Sequence, residues 1–357
     1  GNLKNISIMP DELPAAFEDG ISFDAHAIKG FTDVTKSDLL LFPDPVTLSV
    51  LPWRPQQGRV VRFYCHIKNP DGSTFWGDSR ELLKSVIARL DEKGYVCKVG
   101  AECEFYLFKT DENGNPTTIP FDNGGYLDVA PFDKGENIRR EICLCLEEMG
   151  IKPETSHHEQ GPGQNEIDFK FSDALSSADN FMSFKTAVRA IAARNGSFAS
   201  FAPKPLPDKS GNGLHINLSL AQNGYNVFKL GNSEHSKVTE SFIAGILQKT
   251  PEMTAFLNPI PNSYERLGSF EAPKYVSWAY GNRSQLIRIP AAKGERIRME
   301  LRSPDPTVNP YIAFALVISA GLYGIENGLS LPESLNVDLY NIDKNISEKL
   351  VRLPENL

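Results

Sequence analysis

Residues 99–108, Val99-Gly100-Ala101-Glu102-Cys103-Glu104-Phe105-Tyr106-Leu107-Phe108, alternate at the period of a half-buried strand. Glu102, Glu104 and Tyr106 share one face, and Cys103, Phe105 and Leu107 share the other. Neighbouring same-face residues on a strand lie about 7 Å apart, close enough for two acids to serve adjacent cations. Residues 213–220 repeat the scheme, with His215, Asn217 and Ser219 opposite four aliphatic side chains, and Met299–Arg302 repeats it again with Glu300 and Arg302 together. Strands that each offer one apolar and one polar face predict a curved or barrel-like antiparallel sheet. Between them the period changes to that of a helix. Leu82, Leu83, Val86, Ile87 and Leu90 predict a helix over Ser79–Lys93, ended by Gly94. Further helices are predicted over Glu136–Met149, Ala178–Asn195, Val238–Thr250 before Pro251, and Tyr311–Ile325. The pattern as a whole is α+β, a polar sheet face with helices packed behind it.

The first 77 residues differ. Short apolar runs (Ile6-Ser7-Ile8, Leu39–Phe42, Thr47–Leu51, Val60–Cys65) separated by Pro, Gly and Asp read as a small β-rich domain, with a catalytic domain over 78–357. Asp24 falls in a loop of small residues within it. The densest chemistry lies at His157–Phe169, where Gly161-Pro162-Gly163 signals a turn and Glu166–Phe169 alternates as a strand. A strand-turn-strand brings Glu159 and Glu166 onto one surface. Two carboxylates held together ask for a metal ion or an arginine between them; a solvated acidic turn is the plainer alternative. Arg266, Arg283, Arg288, Arg298 and Arg302 cluster among turns and short strands, where guanidinium forks suit carboxylate and phosphate oxygens.

The chain has 357 residues and a formal net charge of -8, which disfavours nucleic acid as a partner because no basic stripe is visible. The longest apolar run, 311–325, contains glycines and a serine and is too short to span a bilayer. Cys65, Cys97, Cys103, Cys143 and Cys145 form an odd, unframed set, predicting reduced thiols and a cytoplasmic location. Gly1 reads as a cloning remnant, and both ends are expected to be cut.

Taken together, Glu102, Glu104, Glu159, Glu166 and Glu300 with His215 are oxygen ligands plus one imidazole, a set for Mg²⁺ or Mn²⁺ rather than structural zinc. Two metals beside clustered arginines, with no Ser-His-Asp order, point to phosphoryl transfer onto a small carboxylate. The motifs that carry these residues resemble the type I glutamine synthetases: Phe23-Asp24 to Gly30-Phe31, Gly100–Phe105, His157-His158-Glu159 with Gly163–Glu166, Lys204-Pro205 with Gly211–His215, Asn258-Pro259 with Asn262–Arg266, Glu271-Ala272-Pro273, Asn282-Arg283-Ser284 with Ile287–Pro290, and Glu300–Pro306. They run in family order from about residue 20 to 330.

The resemblance implies a β-grasp-like N-terminal domain, an incomplete C-terminal part, and ATP-dependent ligation of ammonia to the γ-carboxylate of L-glutamate through a γ-glutamyl phosphate. By it, Glu104, Glu159 and Glu166 would hold the metal near glutamate, and Glu102, His215 and Glu300 the metal on the ATP phosphates, as Mg²⁺ or Mn²⁺, two or more per site. Gly211, Arg266 and Arg302 would bind glutamate. Phe171, Arg283, Arg288 and Arg298 would bind ATP, with Arg283 and Arg288 spreading charge over the moving phosphoryl group. Asp24, from a neighbouring subunit of a homo-oligomeric ring, a dodecamer in the family, would deprotonate ammonium in a pocket with Tyr126 and Glu159. Glu271 would sit on a flap that excludes water.

This sequence departs from the pattern at His26 and Ala27, which replace a small serine pair near Asp24, at the 266–271 segment, one residue short, and at Ser210 and Glu295. The first departure keeps a γ-glutamyl ligase for organic amines open as an alternative, and a catalytically inert binding protein is a third. Mutually repelling carboxylates retained together argue against the inert reading.

Overall fold

The alternation at 99–108 forms the axis of a ten-stranded sheet in the computed structural model, which describes residues 2–55, 57–229 and 236–357. Gly1, read above as a cloning remnant, lies outside the described residues. The strand Val96–Thr110 pairs antiparallel with Leu214–Gln222 on one side and with Gln164–Asp173 on the other. Beyond the first come Met299–Leu301, Ile287–Ile289 and Trp278–Tyr280; beyond the second comes Pro153–His158. The sheet is mixed rather than wholly antiparallel, because Trp278–Tyr280 runs parallel to Ile287–Ile289. A three-residue strand is about 10 Å long, so the 281–286 loop, turning at Gly281 with φ +65°, can return to its start without a helical crossover.

Register places the polar residues in rows across the strands. His215 faces Glu102, which faces Asp168. Glu104 faces Glu166, which faces His157. Arg288 faces Glu300, which faces Asn217. The opposite face is apolar: Val99, Ala101, Cys103, Phe105, Leu107, Ile167, Leu214, Ile216, Leu218 and Leu301 all belong to one buried core. Helices Ala174–Arg194, Lys237–Leu257 and Pro310–Glu326 back this face. Because side chains alternate on a strand, burying one set commits the other to the polar side.

Two helices differ from the sequence reading. The first begins at Ala174, before the expected Ala178, because the Asp173 side chain caps it by accepting from the Ser176 N–H at 2.9 Å. The second continues through Pro251 to Leu257. A proline inside a helix costs about 3 kcal/mol or more, since it removes a donor and crowds the preceding turn. Here Thr250 and Thr254 hydroxyls donate to carbonyls one turn back at 2.7 and 2.8 Å, and Phe242, Ile243, Ile246, Met253 and Leu257 are all buried along the same helix. That burial outweighs the proline.

The N-terminal part is a three-stranded sheet of Ile21–Asp24, Asp38–Pro43 and Cys65–Lys68, with a small hairpin Ser49–Val50/Val61–Arg62. Ile6 and Ile8 form no strand and are exposed. Asp24 ends a strand instead of lying in a loop, and its carboxylate accepts from the His26 N–H at 3.0 Å. The unit is docked by Arg80, whose guanidinium reaches Asp44 and Asp179, each at 2.9 Å.

Helices Lys237–Leu257 and Pro310–Glu326 meet backbone to backbone at Gly245 and Gly324. A Cβ on Gly245 would strike the Ala320 carbonyl and sit 2.7 Å from the Gly324 nitrogen; one on Gly324 would strike the Ser241 carbonyl and sit 2.8 Å from the Gly245 nitrogen. In an exposed helix, glycine to alanine would gain about 1 kcal/mol. Here the overpacking cost of about 1–3 kcal/mol wins, because the obstacle is backbone rather than a movable side chain. Gly245→Ala and Gly324→Ala should each lower the denaturant midpoint in equilibrium unfolding; a midpoint at or above that of the parent chain would refute the close crossing.

Candidate metal and substrate site

The polar rows converge on two groups of ligands. In the first, Glu102, His215 and Glu300 place one ligand atom each within 4.8 Å of the others. His215 Nδ1 is 3.3 Å from Glu102 Oε2 and 3.5 Å from Glu300 Oε1. Glu300 is fully buried; its Oε1 accepts from Arg302 Nη1 at 3.0 Å. Arg288 Nε stands 2.5 Å from Glu300 Oε2, but the angle is wrong for a hydrogen bond, so that oxygen keeps unused acceptor capacity. Glu102 Oε1 accepts from Asn217 at 2.9 Å, and Arg298 Nε donates to Asn217 Oδ1 at 2.7 Å.

The second group is Glu159 and Glu166, with His157 between them: Nδ1 is 3.7 Å from Glu159 and Nε2 is 3.8 Å from Glu166. The turn that brings the two acids together closes through Glu159 N–H to the Gln164 carbonyl at 2.8 Å. Gly161 abuts Tyr106, and Gly163 has φ +69° with the Leu107 carbonyl 2.7 Å from where a Cβ would lie, so neither position has room for a side chain. Beneath the turn, His158 is fully buried, with Nε2 2.8 Å from Asp122 Oδ1 and Nδ1 2.7 Å from the Glu159 carbonyl. Both neighbours are acceptors, so the ring holds two protons, and hydrogen bonding to Asp122 opposes the desolvation that would strip one away. Asp122 also accepts from the Gly163 N–H at 2.9 Å, so the pair grips both ends of the turn.

Glu104 belongs to the same face but is engaged, accepting from the Gly213 N–H at 2.8 Å and from Gln164 at 3.3 Å. Of the three acids expected around the glutamate-side metal, Glu159 and Glu166 are drawn together with His157 as their third neighbour, while Glu104 stands directly across from Glu166 in the same row. Asp168, absent from the expected set, joins Glu102 and Glu166 in a further group. The period-two alternation of Glu166-Ile167-Asp168 carried that signal. His157 lies within 4 Å of both Glu159 and Glu166.

The remaining expected residues surround these groups. Arg266 is buried, donating to the Ser303 and Arg302 carbonyls at 2.8 and 3.1 Å, with Gly211 packed against its side chain. Arg302 is buried and donates to the Arg283 and Glu271 carbonyls at 3.2 and 3.3 Å. The Glu271 carboxylate accepts from Gln160 at 3.1 Å and lies 3.8 Å from Arg302 and 4.0 Å from the half-exposed Arg283. Phe171 is exposed on the same strand as Glu166, near Gly100. Next to Arg298 a cleft of about 600 Å³ is lined by Glu154, Ala291, Ala292, Lys293 and Arg296. The Tyr126 ring meets His157 edge-on at 5.6 Å. Asp24 is exposed on the separate N-terminal sheet, and its carboxylate bonds within its own turn.

The acids are electrostatically unsatisfied. Burial and then Glu159 push Glu104 up to about 8; burial and then Glu102 push Asp168 up to about 7. Burial and then Asp168 raise Glu166 well above the ordinary carboxylate range, and burial raises Glu159. His215 is driven well below its usual value by burial and by Arg302, so its imidazole is neutral, the form that binds metal. Unused buried oxygens on Glu300 and Asp168, with oxygen donors around one imidazole, fit a hard divalent cation.

Comparison with known proteins agrees with this geometry. The family profile described as "Glutamine synthetase, catalytic domain" matches residues 76–357, and that described as "Glutamine synthetase, beta-Grasp domain" matches residues 1–70. The chain is 47% identical to the glutamine synthetase of Clostridium saccharobutylicum over all of its own length and 82% of that protein. It is also 47% identical to the enzyme of that name from Methanosarcina mazei, over all of its length and 81% of that protein. Among solved structures, a GmaS/ADP complex superimposes with a TM-score of 0.87 at 32% identity, covering 97% of this chain and 80% of that one. Plasmodium falciparum glutamine synthetase does so with a TM-score of 0.81 at 28% identity, covering 90% and 68%.

A carboxylate raised by burial holds a proton in the folded chain that the unfolded chain has already released. For Glu104 this window runs from 4.5 to about 8, so metal-free stability falls as pH rises through it. Divalent cations displace those protons and offset more repulsion at the top of the window than at the bottom. The rise in melting temperature on replacing EDTA by Mg²⁺ should therefore be larger near pH 8 than near pH 5; an increment independent of pH would contradict the buried acidic funnel.

Proposed function

The chain belongs to the glutamine synthetase family, and from that membership we propose how its own residues divide the ATP-dependent synthesis of glutamine from L-glutamate and ammonia. The observation that carries the reading is the meeting of two acid groups on one polar sheet face with arginines against them, Arg288 and Arg302 at Glu300 and Arg298 near Glu102. Glu102, His215 and Glu300 would be the ligands on the ATP side, and Glu159 and Glu166, with Glu104 across from Glu166, would serve the glutamate side. These residues would hold Mg²⁺ or Mn²⁺, two or more per site, which would supply positive charge against the phosphates.

Every other role falls to the polypeptide. Arg266 and Arg302, held by carbonyls, and Gly211, packed against Arg266, bind the glutamate carboxylates. Phe171, together with Arg298 at the 600 Å³ cleft, binds ATP. Arg283 and Arg288 stabilise the charge that spreads over the γ-phosphoryl group as it passes to the γ-carboxylate. Ammonia then displaces phosphate from the γ-glutamyl phosphate. Asp24 of a neighbouring copy takes the ammonium proton in a pocket with Tyr126 and Glu159, and Glu271 closes the mouth against water. This use of Asp24 accounts for its exposure on a sheet apart from the acid groups, and it requires a homo-oligomer with sites at subunit interfaces, a ring of twelve by family resemblance. Working location is the cytoplasm; no described helix is long and apolar enough to cross a membrane. The functional boundary between N-terminal and catalytic domains falls at residues 77 and 78.

With L-glutamate, ATP and Mg²⁺, phosphate release should depend on ammonium and match glutamine formed. Turnover with methylamine but none with ammonium would replace this reading by an amine ligase.

A further inference from the structure

The segment that carries Glu271 is held in an unfavourable backbone shape. Within Leu267–Lys274, Gly268 has φ +76° and Phe270 has φ +52°. Left-handed backbone suits glycine, but for a bulky aromatic residue it is strained and persists only when its surroundings enforce it. Short-range bonds form the loop: Ser269 N–H to the Arg266 carbonyl at 3.2 Å, Ala272 N–H to the Ser269 carbonyl at 3.1 Å, and Gly268 N–H to the Pro273 carbonyl at 3.2 Å. None of these bonds involves the Phe270 side chain, whose ring is half-exposed.

One side chain reaches it. Lys204 is 93% buried by residue area at 7% exposure, and its Nζ lies 4.4 Å from the Phe270 ring centroid. The same ammonium donates to the Lys209 carbonyl at 2.6 Å and approaches Ser269 Oγ at 3.4 Å. Its backbone is fixed, because the Lys204 N–H and carbonyl are both bonded to the side chain of Asn262, at 2.9 and 3.0 Å. A cation over an aromatic face is attracted by the ring quadrupole, the more so where water is excluded. On the far side, the consequence is visible at Glu271, whose carboxylate accepts from Gln160 of the metal turn and faces Arg302 and Arg283.

We propose that Lys204 is a positioning residue for the flap: its ammonium, stacked on Phe270, holds the left-handed turn that sets Glu271 across the mouth of the site. Lys204 also anchors the loop leading to Gly211, so one cation ties the glutamate-binding loop to the lid above it. The inference rests on the glutamine synthetase reading and deepens it. With the lid correctly seated, ammonia alone reaches the acyl carbon of γ-glutamyl phosphate. With the lid loosened, water attacks the same carbon, the bond from that carbon to the phosphate oxygen breaks, and glutamate and phosphate are returned without glutamine. Loss of Lys204 therefore uncouples ATP use from product formation.

The test is the ratio of phosphate released to glutamine formed at saturating ammonium. In the parent chain the ratio is unity; should the parent make no glutamine at all, the functional reading fails and this inference falls with it. In Lys204→Met, which keeps the length and loses the charge, the ratio should rise at least about twofold and kcat should drop about tenfold, since a displaced catalytic group commonly costs that much or more. Lys204→Arg, which keeps a cation over the ring, should restore the ratio. Phe270→Leu removes the ring without touching the lysine and should uncouple in the same way, so it carries the test if Lys204→Met does not fold. A ratio of unity in a folded Lys204→Met or in Phe270→Leu, whatever the loss of kcat or of thermal stability, would overturn the proposal.

Discussion

Like charges buried side by side are the constraint on which this molecule turns. Glu102, Glu104, Glu159, Glu166, Asp168 and Glu300 lie on one face of a sheet and on the turn at its edge, several of them raised far from ordinary carboxylate behaviour by burial and by one another. No arrangement of backbone hydrogen bonds removes that repulsion; bound protons or cations relieve it. The arginines answer part of it, Arg288 and Arg302 at Glu300 and Arg298 near Glu102. The neutral His215 and the open carboxylate oxygens leave the rest to divalent ions. Catalytic competence and electrostatic tolerance are here one property, since the charges that would bind phosphate-bearing substrates are those the empty fold can least accommodate.

The supporting layers serve this arrangement at a distance. The His158–Asp122 pair, itself too well satisfied to bind metal, fixes the turn that carries Glu159. The apolar face of the sheet is packed against three helices, so a shift in strand register would move an acid into the core and a leucine into the site. That coupling between layers is why six acids dispersed over residues 102 to 300 lie close together.

Much of this was legible in the residues alone. Strict alternation located the three strands that carry Glu102, Glu104, His215 and Glu300, and Gly161-Pro162-Gly163 located the turn, because these are local rules that tertiary packing had no reason to override. What escaped was non-local. The parallel pairing of Trp278–Tyr280 depends on a loop folding back, which no period reveals. The helix continuing through Pro251 depends on apolar contacts made elsewhere in the chain. The closeness of His157 to Glu159 and Glu166 follows from cross-strand register, which sets His157 and Glu104 on either side of Glu166. Asp168 was visible in the alternation, and its weight appears only when the neighbouring strand sets Glu102 against it.

The contact of Gly245 with Gly324 bears on how sequence freedom is distributed. Around the acid groups, a chemist can imagine exchanging one carboxylate for another or arginine for lysine and keeping some semblance of the charge pattern. At the crossing of the two helices no such latitude exists, because twenty side chains reduce to the one that has no Cβ. The least negotiable letters of this protein are therefore written behind the sheet, where no substrate goes.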